Sequence, residues 1–244
     1  MQVEAGRDRA RTGRLGLITR LLEEALEQLT APGGTPDLLD CGGGSGTYAV
    51  PLAVAGADVT VVDISADALA TLSHRATEAG VADRVHPVPG DVEALGELLT
   101  GRQFDLVLAH GILEAVDDVA AAFAGIAERV RPGGLMSILV TNPAASVIAR
   151  ALAGEPAAAL DELTELDEVA DRVGPEAVLR LCRAAGLELE SRHGIGVFSD
   201  LVPGSALDQP GARDALERLD ADAAGRSPFA EIAARVHLLA RRPG

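Results

Sequence analysis

The run Leu38-Leu39-Asp40-Cys41-Gly42-Gly43-Gly44-Ser45-Gly46 sets an apolar stretch directly against a glycine-rich loop. A second apolar stretch, Val59-Thr60-Val61-Val62, ends on Asp63, and Pro89-Gly90-Asp91-Val92 places another acid after a third. Glycine lets a backbone turn tightly and come close to a ligand. A carboxylate at the end of the second strand can accept both hydroxyls of a ribose. This is the pattern of a nucleotide-type cofactor site at the carboxyl ends of parallel strands. Asp40, Gly42, Gly43, Gly44, Asp63, Ile64, Gly90, Asp91 and Val92 are the residues expected to form it.

The spacing narrows the cofactor. Dinucleotide-binding loops follow G-x-G-x-x-G. Here the glycines fall at Gly42, Gly44 and Gly46, and Thr47 stands where the longer form needs its last glycine. That argues against a nicotinamide-dependent dehydrogenase. Two of the acids have a second reading. Asp63 can cap the following helix, although Ser65 is the better placed cap. Asp91 can accept from an adenine amino group, with Val92 near the ring, or cap a helix, or do both.

These residues need a frame of strands and helices. Apolar runs at Asp37–Cys41, Asp58–Val62, Arg84–Val88, Phe104–Ala109 and Leu135–Thr141 read as strands. Helical patterns lie between them, near 46–55, 66–79, 92–99 and 117–130. Such alternation predicts an α/β fold with a parallel, doubly wound, Rossmann-like sheet. Leu15, Ile18, Leu22 and Leu26 recur at helical spacing ahead of it, after a polar segment 1–11 expected to be mobile, and Ala31-Pro32-Gly33-Gly34 closes the helix. Arg131-Pro132-Gly133-Gly134 reads as the turn before the fifth strand. Residues 144–170 read as helical and acidic, 175–185 as a helix, and Leu187–Val197 and Val236–Ala240 as the last strands. The expected organisation is one domain, 1–244. In it a helical lid (1–34) and a substrate-side lid with the final strands (142–244) flank a cofactor-binding core (35–141).

Composition excludes several classes. The formal net charge is −16, and all 21 basic residues are arginine. Nonspecific nucleic-acid binding rests on basic residues neutralising phosphates, so that class is disfavoured. No apolar run is long enough to span a bilayer. Cys41 and Cys182 lie far apart and outside any CxxC, which fits a reducing, cytoplasmic setting. No HxxxH, CxxC or carboxylate-rich ligand set is visible, so no metal is expected.

Taken in order, the glycine loop, Asp63, Gly90-Asp91 and the Arg131–Gly134 motif resemble the class I S-adenosylmethionine (SAM)-dependent methyltransferases. The resemblance spans residues 35–141. It implies a seven-stranded sheet with an antiparallel last strand, SAM as cofactor and methyl transfer as the reaction. A narrower resemblance is to the bacterial methyltransferases that esterify 5-carboxymethoxyuridine in tRNA. Phe104-Asp105-Leu106-Val107-Leu108-Ala109-His110-Gly111-Ile112-Leu113-Glu114, Thr141-Asn142-Pro143, Gly194–Asp200 and Val236–Arg241 carry it. By that resemblance His110 holds the place of a histidine that touches the cofactor. The group also carries basic residues on its first helix and after its fifth strand. Here Gly16 replaces one of them, and the later segment is Asp161-Glu162-Leu163-Thr164-Glu165-Leu166-Asp167-Glu168. An acidic run repels an RNA backbone.

The expected reaction is therefore methyl transfer from SAM to a small molecule at oxygen, either carboxylate or hydroxyl. A hydroxyl acceptor benefits from a general base, most often histidine. His110 and Glu114 are the catalytic candidates, and His193, at a strand boundary, reads as a structural group. Glu114 has the alternative of capping the helix after the fourth strand. A carboxylate acceptor calls for an arginine. Arg14, Asn142, Arg150 and Asp200 are the acceptor-side candidates, although Arg150 can instead pair with the acidic stretch that follows. The tRNA carboxyl methyltransferase is the alternative, kept open by Arg7, Arg9, Arg11 and Arg14. A SAM-binding module without transferase activity is a third reading.

Overall fold

The computed structural model describes residues 2–29 and 34–244, with side chains except those of residues 2–15 and 168. In chain order the elements are α1 (Gln2–Leu29), β1 (Asp37–Cys41), α2 (Ala49–Val54), β2 (Asp58–Asp63), α3 (Ala66–Glu78), β3 (Val85–Pro89), α4 (Leu95–Leu98), β4 (Phe104–His110), α5 (Val119–Ala127) and β5 (Val130–Thr141). Then follow α6 (Pro143–Leu152), α7 (Pro156–Val173), α8 (Pro175–Ala184), β6 (Glu188–Ile195), α9 (Ala212–Ala223) and β7 (Arg235–Arg241).

The seven strands form one sheet in the order β3-β2-β1-β4-β5-β7-β6. Pairings among β3, β2, β1, β4 and β5 are parallel. Gly133 N donates to Arg242 O while Asn142 N donates to Ala234 O, so β7 runs antiparallel to β5. The sequence expectation of seven strands with an antiparallel last one holds. Central strands are apolar on both faces: Leu38, Leu39, Val59, Val61, Val62, Leu106, Val107 and Leu108 are fully buried. That is how parallel strands covered by helices on both sides read. β3 lies at an edge, and its Pro87 and Pro89 are tolerated there because an edge strand need not donate from every residue.

The chain order reverses between β1 and β4. β1, β2 and β3 step outward in one direction, and β4 and β5 step outward in the other. Right-handed crossovers then place the connecting helices on opposite faces and open a crevice at the carboxyl ends of β1 and β4.

Two details differ from the sequence expectation. Helix α1 begins at Gln2, so residues 2–11 are helical. No proline interrupts them, and adding residues to a nucleated helix costs far less than starting one. The Ala31–Gly33 closure lies outside the described residues. The Arg131–Gly134 motif is not a turn before β5 but a bulge inside it. Phe104 aligns with Val130 and Leu106 already with Leu135, so the extra residues leave the ladder. Gly133 takes φ 79°, and Arg242 N donates to Gly134 O, so the bulge pairs with the end of β7 instead.

By compactness the chain divides into two units. One comprises residues 19–139, 179–190 and 239–244; it holds β1 to β4 and most of β5. The other comprises 1–18, 140–178 and 191–238. Its small core is Val197, Ala223 and Ala233, with Phe198 and Ile232 packed on it. Asp220, nearly buried, accepts from Phe198 N at 2.7 Å and from the Ser199 hydroxyl, which ties α9 to the loop after β6. Asn142 Nδ2 donates to Glu231 O (2.7 Å) and Ala233 O (3.0 Å). Among the described residues, no helix is long and apolar enough to cross a membrane.

Asn142 is 9% exposed, so removing its amide strands two carbonyls with little access to water. Asn142→Ala is expected to cost about 2 kcal/mol of stability, read as a lowered urea midpoint. An unchanged midpoint would show that water replaces both bonds.

Candidate functional site

The glycine loop leaves β1 and turns over the carboxyl ends of β1 and β2. Gly42 N donates to Val62 O at 2.8 Å, and Gly44 N donates to Asp63 Oδ2 at 2.8 Å. Asp63 Oδ1 accepts from Ser65 N at 2.8 Å. Ser65, not Asp63, caps α3, its hydroxyl accepting from Ala68 N at 3.2 Å. One carboxylate thus clamps the loop and orders the entry to α3, and each of its oxygens has lone pairs to spare. Arg75 of α3 adds a second clamp: its Nη1 donates to Ser45 O at 2.8 Å.

Two glycines are required by space. A Cβ on Gly43 would lie 2.4 Å from Asp40 Oδ2 and 2.8 Å from Val61 Cγ1. On Gly46 it would lie 2.3 Å from Leu72 Cδ1, and φ there is 77°. The loop backbone therefore presses directly on the buried carboxyl of Asp40.

Asp40 is 1% exposed, and its Oδ2 meets no hydrogen-bond partner among the described residues. Burial first, and the neighbouring Asp63 charge second, push its carboxyl up to about 7. The adjacent Cys41 thiol is driven well above its ordinary range, again by burial first and then by Asp40. Cys182 rises to about 11, chiefly through burial. Both cysteines are free. Burial disfavours the thiolates that oxidation and alkylation require.

The other expected cofactor residues gather round the same crevice. Gly90 N donates to Asp63 O at 3.1 Å, which brings the end of β3 against the end of β2. Asp91 caps the single turn Val92–Ala94, Oδ1 accepting from Glu93 N at 2.9 Å; it is exposed and keeps its second oxygen. Val92 is 5% exposed, so its side chain belongs to the core, and a broad contact with a ring is not what it offers. Ile64 is 78% exposed, an unusual position for a large aliphatic group and a ready apolar surface beside Asp63.

His110 ends β4. Its Nε2 lies 2.8 Å from Ser137 Oγ on β5, and the Tyr48 ring stands edge-on to it at 4.7 Å between centroids. Ile112 reaches back over the loop, its Cδ1 2.7 Å from where a Gly42 Cβ would be. Glu114 is half-buried in the turn after His110 and does not cap the next helix; Asp118 does, accepting from Ala121 N at 3.0 Å. Tyr48 and Ser137 were missed from sequence. Each had a signal: Tyr48 is the chain's one tyrosine and sits two residues past the loop, and Ser137 is the lone hydroxyl in the run Leu135–Val140.

The acceptor-side candidates do not join this cluster within one unit. Arg14 lies on α1, with its side chain outside the described ones. Asn142 is committed to the two carbonyls named above. Arg150 is exposed and spent on Glu155 (2.8 Å) and Glu162 (2.7 Å), so the acidic stretch has claimed it rather than an acceptor. The Ser146 hydroxyl, and then Arg150, hold the Glu162 carboxyl below its usual range. Asp200 is exposed in the loop after β6. His193 lies in β6, its ring stacked on that of the buried His237 at 6.0 Å, a structural place.

Residues 39–138 match the family described as methyltransferase domain. The chain carries a SAM-dependent methyltransferase domain. The tRNA 5-carboxymethoxyuridine methyltransferase of Escherichia coli (strain K12) is 26% identical over 232 residues, covering 91% of this chain and 87% of that protein. A ubiquinone biosynthesis O-methyltransferase of Sinorhizobium medicae (strain WSM419) is 34% identical over 162 residues, covering 65% of this chain and 62% of that one. A plantazolicin methyltransferase, solved with a desmethyl analogue and S-adenosylhomocysteine (SAH), superposes with a TM-score of 0.62 at 14% identity, covering 100% of this chain and 90% of that one. The enzyme's cofactor is SAM. The residues present suit it: a side-chain-free cradle at Gly43, a half-buried carboxylate at Asp63 for hydroxyls, an exposed aliphatic surface at Ile64, and negative charge for a cation.

The Asp40 carboxyl makes stability depend on pH. Its folded value is raised from 3.8 to about 7, so between those values the folded chain holds a proton that the unfolded chain has lost. Stability of the cofactor-free enzyme should therefore fall as pH rises through this window, by up to roughly 4 kcal/mol, and level off above it. Asp40→Asn should remove that component in urea titrations at pH 5, 6, 7 and 8. Parallel curves for the two proteins would refute the assignment.

Proposed function

We propose that this methyltransferase methylates an oxygen of a small-molecule acceptor, a hydroxyl or a carboxylate, with residues 35–141 holding the cofactor and residues 1–34 and 142–244 supplying acceptor specificity. SAM brings an activated methyl group on a sulfonium sulfur. The chain's part is to hold the two reactants in line and keep water out, since proximity supplies much of the rate in such displacements. Held by the glycine loop and Asp63, SAM would supply that methyl group to the acceptor oxygen, its sulfur keeping the bonding pair and leaving as SAH. A hydroxyl acceptor also sheds a proton, and His110 is the group proposed to take it, with Glu114 nearby in sequence.

The observation that carries this reading is the placement of His110 at the end of β4, held by Ser137 on one side and Tyr48 on the other, beside the glycine loop. Such a fixed imidazole suits an oxygen acceptor that must lose a proton. The acidic α7, with Arg150 already neutralised by Glu155 and Glu162, suits a small molecule better than a polyanion. A reducing, cytoplasmic setting fits the two buried free cysteines.

A second reading has a specific observation in its favour. The match to the E. coli tRNA methyltransferase runs over 91% of this chain, whereas that to the ubiquinone O-methyltransferase runs over 65%. It makes the carboxyl of 5-carboxymethoxyuridine in tRNA the acceptor, with the α1 arginines meeting phosphates.

Two measurements test these readings. Calorimetry should show micromolar SAH binding that weakens by at least about tenfold in Asp63→Ala, while NAD does not bind; a tenfold loss corresponds to about 1.4 kcal/mol, the scale of a charge-assisted hydrogen bond. Methyl-labelled SAM should then be offered with phenols, carboxylic acids and tRNA carrying unesterified 5-carboxymethoxyuridine in parallel. Label in a small acceptor, with kcat reduced about 100-fold or more in His110→Ala, supports the first reading. Label in tRNA replaces it with the second. Tight SAH binding with no product from any acceptor points to a module that binds SAM without transferring it.

A further inference from the structure

Nothing in the hydrogen-bonding of the glycine loop calls for Asp40 to be an acid. The loop is clamped by Asp63 and Arg75, yet a carboxyl is buried beneath Gly43 with Oδ2 left without a partner among the described residues. An unsatisfied buried polar group is destabilising, and one that can carry charge more so. Gly43 has no side chain at the place where one would displace this carboxyl. The geometry thus keeps the Asp40 oxygen against the loop backbone, and the loop lies at the mouth of the crevice.

The groups around Asp40 leave its charge unanswered. Val61 on β2 and Leu108 on β4 stand beside it in register, and both are apolar and fully buried. From β2, Asp63 adds a like charge, and from β1 the neighbouring Cys41 is a buried thiol. His110 closes β4 two residues beyond Leu108, tied to Ser137. A positive charge entering the crevice would be the natural counter-ion. The two forms of the cofactor differ by one such charge: SAM carries a sulfonium, SAH a neutral thioether.

Building on the methyltransferase assignment, we propose that Asp40 reads the charge of the cofactor, releasing its proton to solvent when the sulfonium form binds and keeping it when the thioether form binds. The enzyme then prefers fresh to spent cofactor through one buried carboxyl, and that preference grows as pH rises. The direction follows from linkage: a ligand that favours the ionised acid lowers its proton affinity, so binding releases protons. With the carboxyl at about 7, SAM should release about half a proton more than SAH at pH 7. The affinity ratio of SAM over SAH should rise roughly five- to tenfold between pH 6 and pH 8. The α-amino group, present in both ligands, cancels from the comparison.

The experiment is calorimetric titration of the whole chain with SAM and with SAH, at pH 6, 7 and 8, in buffers of different ionisation enthalpy. The excess proton release with SAM should be present in the wild type and absent in Asp40→Asn. Equal proton counts for SAM and SAH in the wild type overturn the proposal and leave the methyltransferase assignment standing, as does an excess that survives in the variant. Failure of both ligands to bind the folded wild type would remove the assignment itself. Should Asp40→Asn fail to fold, the two ligands on the wild type still decide the matter.

Discussion

Between Cys41 and Gly46 the backbone passes so close to Asp40, Val61 and Leu72 that side chains at positions 43 and 46 have nowhere to go. The rest of the site follows from this crowding. Because the loop lies flat on the strand ends, Gly44 N points at Asp63 and Gly42 N at Val62 O, and the carboxyl ends of β1 and β2 are locked to one height. Gly90 N then reaches Asp63 O and brings in the end of β3. On the other flank Ile112 packs over Gly42 and carries the turn after β4 with it. A bulkier loop would move each of these neighbours, and the crevice at the reversal of strand order would lose its shape.

The same crowding explains why two acids tolerate one another here. Asp63 is only half-buried, and two backbone N–H groups answer its charge. Asp40 is buried with one oxygen unanswered, so of the two it is the carboxyl that yields its charge. Environment has divided one residue type into a carboxylate that arranges the backbone and a buried carboxyl beneath it whose charge burial opposes. His110 is set by a third environment, wedged between a hydroxyl and an aromatic edge.

Much of this was readable in the sequence, for a physical reason. Continuous apolar runs such as Leu38–Leu39 and Leu106–Ala109 mark strands buried on both faces, and the loop glycines are set by local geometry, so both signals are short-range. The Arg131–Gly134 motif misled because Pro-Gly-Gly has the local chemistry of a turn. Only pairing with Arg242, more than a hundred residues away, keeps it inside β5 as a bulge. The carbonyls that Asn142 meets, those of Glu231 and Ala233, are likewise a choice of tertiary structure that side-chain type does not reveal, whereas Arg150 has taken the acidic stretch after it, the alternative already open in the sequence. Tyr48 and Ser137 become part of the site only once β1, β4 and β5 stand side by side.

The two units use their polar side chains differently. Everything that prepares the cofactor crevice, from Asp40 to Ser137, lies within residues 19–139. That stretch contains the whole span matched by the methyltransferase domain family, and the chain's relatives carry names as different as tRNA and ubiquinone methylation. A scaffold that serves such different acceptors cannot itself be what chooses among them. Outside the family match, polar groups are already spent on the protein: Asn142 on the chain before β7, Arg150 on α7, Asp220 on the loop after β6. With its polar side chains holding the backbone in this way, the second unit offers shape and a net-acidic surface. Acidic side chains of this kind, such as those of α7, repel a polyanion.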